Sequence, residues 1–249
     1  MPRANRYFVP GHLWHITHRC HQRDFLLKFA KDRKRWRYWL FEARRRYGLC
    51  VLNYIVTSNH IHLMVKDTAD GAISKSLQLI AGRTAQEYNK RKERKGAFWE
   101  DRYHATAVES GEHLARCLVY IDLNMVRANA ISHPSEWVDS GYQDIQYPLK
   151  RYRVIDLHEL ANLFNCNSIT DFQQQHRQWV EEALLGEKNS RDSRWSEGLA
   201  VGSEQYVDSL KIQLSPRSRY RHKHKVKNAF VLQEEDCSYR IDSTAKKQF

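Results

Sequence analysis

The apolar residues of this chain alternate in some stretches and recur at helical spacing in others, and the changes of period mark its elements. His12 to Arg19 (HLWHITHR) alternates bulky and polar positions and predicts a strand. Ala30 to Tyr47 sets Trp36, Trp39, Leu40 and Ala43 at helical spacing among charged residues, with Gly48 as the stop; this predicts a helix with a basic outer face. Leu49 to Thr57 (LCVLNYIVT) and His60 to Lys66 (HIHLMVK) predict two strands joined at Ser58-Asn59 as a hairpin. From Gly71 to about Lys92, Ile73, Leu77, Ile80, Ala81 and Thr84 share one side of a second helix, and the charged run ending at Gly96 is a loop. Tyr103 to Val108 predicts a fourth strand. Ser110 is the expected N-cap of a third helix from Glu112 to about Ala128, amphipathic through Leu114, Cys117, Leu118, Ile121 and Met125.

The order β-α-β-β-α-β-α over residues 10–130 is that of an α+β, ferredoxin-like split β-α-β fold, an antiparallel sheet with helices packed on it. Residues 1–147 are the expected catalytic domain. Residues 148–249 are expected to form a smaller, mainly helical C-terminal extension, with helices at Asp156–Phe164, Asp171–Leu185 and Ser203–Leu214. Within it, 215–227 (SPRSRYRHKHKVK) carries Arg217, Arg219, Arg221, Lys223, Lys225 and Lys227 at every second position without an acidic residue. Extended, it would form one basic edge suited to phosphates; a solvated, disordered run is the other reading.

Composition narrows the partners. The 249 residues hold 41 Lys plus Arg against 29 Asp plus Glu, a formal charge of +12, which favours a polyanion: nucleic acid first, an anionic membrane second. Half of that surplus lies in 215–227. No apolar run approaches the ~18 residues of a spanning helix, and Met1–Gly11 lacks the apolar core of a secretion signal, so a cytoplasmic protein is expected. Five widely spaced cysteines without a CxxC argue against a disulfide framework and a zinc finger; Cys117 reads as a small core residue.

The candidate chemistry centres on His60-Ile61-His62. On a strand, i and i+2 face the same way, which puts the two imidazoles about 7 Å apart at Cα, close enough to share a metal ion. Two unrelated surface histidines are the plainer reading of the same pattern. Met64 excludes a histidine-triad hydrolase, and no H-E-x-x-H is present. In the third predicted helix, Tyr120, Asn124 and Arg127 share a face at the edge of the apolar stripe. Asn is a poor mid-helix residue, yet its carbonyl oxygen is a competent ligand for Mg2+ or Mn2+. Two imidazoles and an amide oxygen would leave metal positions open for a phosphate, and a phenol of ordinary pKa near 10 would attack phosphorus once activated. His15 and His18 read more readily as surface or satisfied core histidines than as site residues. Trp36 and Trp39 read as core, while Phe98 and Trp99 read equally as core and as base-stacking platforms.

In these segments the chain resembles the single-tyrosine HUH transposases, and among them the REP-associated tyrosine transposases. The resemblance is carried, in order, by WHITHR with His15 and Arg19, by SNHIHLMV (Ser58–Val65), by AFWEDRY (Ala97–Tyr103) and by YIDLNMVRANA (Tyr120–Ala130), within about residues 1–145. It implies that His60, His62 and Asn124 hold a divalent metal, Mg2+ or Mn2+, and that Tyr120 is the nucleophile. Arg19, Trp99, Arg102 and Arg127 would serve DNA contact or site support, joined by the basic segment at Arg217, Arg219, Arg221, Lys223 and Lys225. The implied activity is cleavage and rejoining of single-stranded DNA beside palindromic hairpins through a 5′-phosphotyrosine link, by a monomer or a homodimer at the nucleoid. Met125 stands where the family usually has Pro, which implies a straighter helix there, and Asp122 is a second departure. A DNA-binding regulator without catalysis is the alternative; a hydrolase of small phosphates fits the charge less well.

Overall fold

In a computed structural model, which describes residues 8–68, 71–186, 192–214, 218 and 221–234, the predicted order is met and then extended. The strands and helices are β1 (Leu13–Arg19), α1 (Ala30–Tyr47), β2 (Cys50–Val56), β3 (His60–Lys66), α2 (Ala72–Arg91), β4 (His104–Val108), α3 (Glu112–Asp122), α4 (Asn124–Arg127), α5 (Gly141–Gln146), α6 (Leu157–Leu163), α7 (Ile169–Leu185), α8 (Arg194–Glu197), β5 (Ala200–Gly202), α9 (Glu204–Leu214), β6 (Arg221–Val226) and β7 (Ala229–Glu234). The architecture is α+β. The seven strands run β2-β3-β1-β4-β5-β7-β6, all antiparallel except the β4–β5 pair.

The sheet explains its own sequence. Every residue of β2 is buried, hence its nearly unbroken apolar run; burying each Leu, Val or Ile side chain contributes about 1.5–3 kcal/mol. Asn53 and Tyr54 of β2 point to opposite faces: Asn53 donates to Asp122 of α3, while the Tyr54 ring meets Trp36 of α1. α1 and α2 therefore cover one face, and α3, α5 and α7 lie with the other. Gly48 ends α1 in the left-handed conformation at φ +67, as its position predicts. Gly141 is needed for a different reason, because a Cβ there would collide with Asn53. Cys20, Cys50, Cys117 and Cys166 are free thiols, and Cys117 is fully buried as expected.

Three expectations change. The third helix is not one helix: Leu123 leaves helical geometry (φ −79, ψ 6) and separates α3 from α4, so the segment is not straighter for having Met125 in place of Pro. The break follows directly on Asp122, whose buried carboxylate is held by Asn53 at 3.0 Å and His176 of α7 at 2.8 Å. Ser110 is not the cap; Gly111 takes that position, at φ +71. The three expected C-terminal helices are present as α6, α7 and α9, but β5, β6 and β7 join them and continue the same sheet.

The basic segment is thereby resolved in part. Arg221 to Val226 is the edge strand β6 rather than a disordered run. Arg221 is buried, and Lys223 is paired with Glu204 and Asp208 of α9 at 2.8 and 2.7 Å, so neither is spread along a free basic edge. Lys225 is exposed, and Arg217 and Arg219 lie outside the described residues. The basic face of α1 is likewise largely engaged at home: Arg37 meets Asp139 and Asp144, and Arg45 and Arg46 meet Glu42. Among the described residues no helix is long and apolar enough to cross a membrane.

Candidate functional site

The register of the central strands assembles the site. β1 pairs with β3 so that Thr17 lies opposite His62 and Arg19 opposite His60; β1 pairs with β4 so that Thr17 lies opposite His104. His60, His62, Thr17, Arg19 and His104 therefore share the face covered by α3, while Ile61 turns into the opposite core at 2% exposure. α3 and the break after it bring Tyr120 and Asn124 down onto that face. The result is an open cleft of about 590 Å³ lined by His60, His62, Tyr120, Asn124, Arg19, Arg102 and Arg127 among others. Seven of the residues singled out from the sequence thus converge in one place.

The two imidazoles are held differently. His60 is half-buried, and its Nδ1 lies 2.7 Å from Asn59 Oδ1 and 3.0 Å from Thr57 Oγ1. Asn59 Nδ2 donates to the Arg23 carbonyl, so its oxygen is the atom that faces His60. Thr57 Oγ1 donates to the His60 carbonyl and accepts from the His60 and Asn59 amides. Nδ1 of His60 must then carry the proton, and Nε2 is its bare nitrogen. His62 is buried, with Nδ1 2.9 Å from His15 Nε2 and Nε2 3.0 Å from Asn124 Nδ2. Burial first, and then the neighbouring His15 and His60, hold the His62 imidazole far below its ordinary pKa, so it is neutral.

Tyr120 stands edge-on to His62, ring centroids 5.8 Å apart at 87°, and close to Trp195 of α8. The Arg127 guanidinium sits 4.1 Å over the Tyr120 ring and donates to the Tyr120 carbonyl at 2.6 Å. It is thus fixed to Tyr120 twice, by ring face and by backbone carbonyl, seven residues further along the chain. Burial lowers the Arg127 pKa from its usual value. Arg102 is exposed at the cleft, and Arg19 is only loosely paired with Glu100 at 3.8 Å.

Trp99 is not part of this convergence. It stacks on His18 at 4.1 Å and 15°, and its indole N–H donates to the Ala81 carbonyl of α2, on the opposite side of the sheet. Burial pushes the His18 imidazole down to about 4, so a neutral ring meets the indole. Phe98 is core at 2% exposure, as are Trp36 and Trp39. β6, with Arg221, Lys223 and Lys225, is five strands away from β3, about 24 Å at ordinary strand spacing. His15 is a site neighbour that the sequence reading set aside. It is fully buried, and its signal lay in register: paired with Met64, it is the diagonal neighbour of His62.

Residues 9–124 match the family model described as Transposase IS200 like. This segment, which spans the sheet face and both arms of the cleft up to Asn124, is similar to that family over a little under half of the chain, in keeping with the motif resemblance. Among solved structures, the chain is similar to a REP-associated tyrosine transposase bound to a REP hairpin, at 19% identity over 63% of this chain and 94% of that one, TM-score 0.49. A protein of Deinococcus radiodurans assigned as a transposase follows at 16% identity over 50% of this chain and 95% of that one, TM-score 0.35. So does the tRNA(His) guanylyltransferase of Saccharomyces cerevisiae, at 9% identity over 77% and 86%, TM-score 0.36. No curated protein matches the chain.

Proposed function

We propose that the protein is a REP-associated-type transposase that cleaves and rejoins single-stranded DNA beside hairpins, with Tyr120 as the nucleophile and His60, His62 and Asn124 as holders of Mg2+ or Mn2+. The observation that carries this reading is the convergence of those four residues in one arginine-rimmed cleft. The donor set fits a divalent ion. His60 offers a bare Nε2, His62 Nε2 faces the Asn124 amide at 3.0 Å, and that amide turned over offers its oxygen. Among the described residues no group of three His, Cys, Asp or Glu could hold a metal, and the Asn124 amide is the protein oxygen donor available beside the two imidazoles. A bound ion would polarise the scissile phosphate and offset its charge.

The remaining work belongs to the chain. Arg19, Arg102 and Arg127 bind and steer the phosphate backbone into the cleft. The Tyr120 oxygen attacks phosphorus as its proton leaves, the P–O3′ bond breaks, and the departing 3′ oxygen takes up a proton. A 5′-phosphotyrosine and a free 3′-hydroxyl result; attack by another 3′-hydroxyl on that link reverses the step and rejoins strands. Arg127, fixed over the phenol ring, holds the nucleophile in place and places positive charge beside the forming phenolate character.

The test is incubation of the full chain with hairpin-flanked single strands and Mn2+. The wild type is expected to give a denaturant-stable protein–DNA adduct, and Tyr120→Phe to give none while binding the hairpin strand within a few-fold of wild type. Adducts formed by Tyr120→Phe would remove Tyr120 from the mechanism. Tight hairpin binding with no adduct from the wild type would favour the non-catalytic regulator.

A further inference from the structure

We infer that His15 is a positioning residue that holds His62 in the tautomer with a bare Nε2 facing the cleft, and that the C-terminal part of the chain sets this tautomer through the Trp195 carbonyl. The inference rests on the reading of His62 as a metal ligand.

Single protons link the Trp195 carbonyl, His15 and His62. His15 Nδ1 lies 2.7 Å from the Trp195 carbonyl, and a carbonyl oxygen only accepts, so His15 carries its proton on Nδ1. Its Nε2 is then an acceptor. That nitrogen lies 2.9 Å from His62 Nδ1, and a hydrogen bond there needs one proton between the rings, which has to come from His62 Nδ1. His62 Nε2 is left bare. As placed, Asn124 Nδ2 lies 3.0 Å from His62 Nε2, which agrees with that direction. The two rings lie nearly parallel, centroids 5.0 Å apart at 9°, as an in-plane N–H···N bond requires, and both are at least nine-tenths buried, so no water competes for the intervening proton.

The origin of the relay is what ties the two parts of the chain. Trp195 is buried in α8, which packs on β1 and β4, far outside the residues 9–124 that define the transposase match. Metal-ligating histidines depend on such a partner at the second nitrogen: it selects the tautomer, and its loss typically costs about 10–100-fold in metal affinity. Without the C-terminal carbonyl, His15 could donate to His62 as readily as accept from it, and half of the paired imidazole set would turn its N–H toward the metal.

The test has two readouts. The first is the tautomer of His62 in the 15N-labelled, metal-free full chain, from long-range 1H–15N correlations assigned by their loss in His62→Gln. The expected state is Nδ1–H with bare Nε2; an Nε2–H ring in the wild type overturns the inference without recourse to a variant. The second is Mn2+ affinity by titration calorimetry. His15→Phe keeps the ring volume but offers no acceptor, and is expected to mix the His62 tautomers and weaken Mn2+ binding about 10–100-fold. His15→Gln places an amide oxygen where Nε2 was and is expected to stay within a few-fold of wild type. Unchanged Mn2+ affinity in His15→Phe overturns the role of His15 alone. A wild type that shows the Nδ1–H tautomer and binds no Mn2+ overturns the metal reading of His62 instead.

Discussion

The chain carries the pattern His-x-His on two strands, and the two copies have opposite fates. His60 and His62 lie on β3, which has a strand on either side, under α3. His222 and His224 lie on β6, the edge of the sheet, and both are exposed. Spacing and strand geometry are the same in the two places. The difference is the surroundings: at β3 the Nδ1 atoms meet fixed partners, Asn59 and His15, and an amide from α4 closes the third side. At β6 the intervening Lys223 is paired with α9, and the strand has neighbours on one edge only. The His-x-His of β3 is a candidate metal centre because neighbouring elements commit each ring to one tautomer and bring an amide to the third side.

The strongest way to break this contrast is to release α3. Asp122 and His176 form a fully buried pair at 2.8 Å, with Asn53 and Gln146 completing it, and this pair anchors the helix end between Tyr120 and Asn124. His176→Phe leaves a buried carboxylate short of a partner and is expected to cost about 3–5 kcal/mol in urea unfolding. His224→Phe, on the exposed strand, is expected to stay within about 0.5 kcal/mol. A His176→Phe protein as stable as wild type would mean that the pair does not hold the helix.

A direct comparison of the two motifs follows. His62→Ala is expected to weaken Mn2+ binding at least about 100-fold, roughly 2.7 kcal/mol, by removing a ligand from a set of three. His224→Ala is expected to leave it unchanged. Equal losses would show that metal is held at the sheet edge as much as in the cleft.

The same contrast separates what the sequence made legible from what it did not. Up to residue 122 each element has a face with one clear period, and strands β1 to β4, helices α1 and α2 and the start of α3 fall within one or two residues of expectation. The quartet was legible because His60 and His62 on one strand, and Tyr120 and Asn124 on one helix face, are relations of spacing. The break at Leu123 has no Gly or Pro to announce it, because its anchor Asp122 is held by residues 69 and 54 positions away. At β6 the sequence leaves an extended edge and a disordered run both open, because an edge strand needs only one apolar face and RHKHKV alternates between two kinds of polar residue. His15 was set aside because its role depends on pairing register and on a carbonyl 180 residues distant. Those are tertiary facts that periodicity does not encode.

The mildest probe asks whether burial is indeed what distinguishes the histidines around the cleft. His18 is buried against Trp99, donates from Nε2 to the Asp101 carbonyl, and has its pKa pushed down to about 4 from an unfolded value of 6.5. Between those values the unfolded chain binds a proton that the folded chain refuses, so stability falls as the pH drops through this window and levels off below about 4. From pH 7.5 to pH 5.5 the loss assigned to His18 is about 1.4 kcal/mol, one pKa unit's worth. His18→Gln keeps an N–H for the Asp101 carbonyl but has nothing to protonate. The stability of this variant is therefore expected to fall with acid by that much less than the wild type over the same range, as read from urea unfolding at each pH. Parallel curves for the two proteins would show that His18 is protonated alike in the folded and unfolded chains, and that its stacking on Trp99 does not exclude the charged ring.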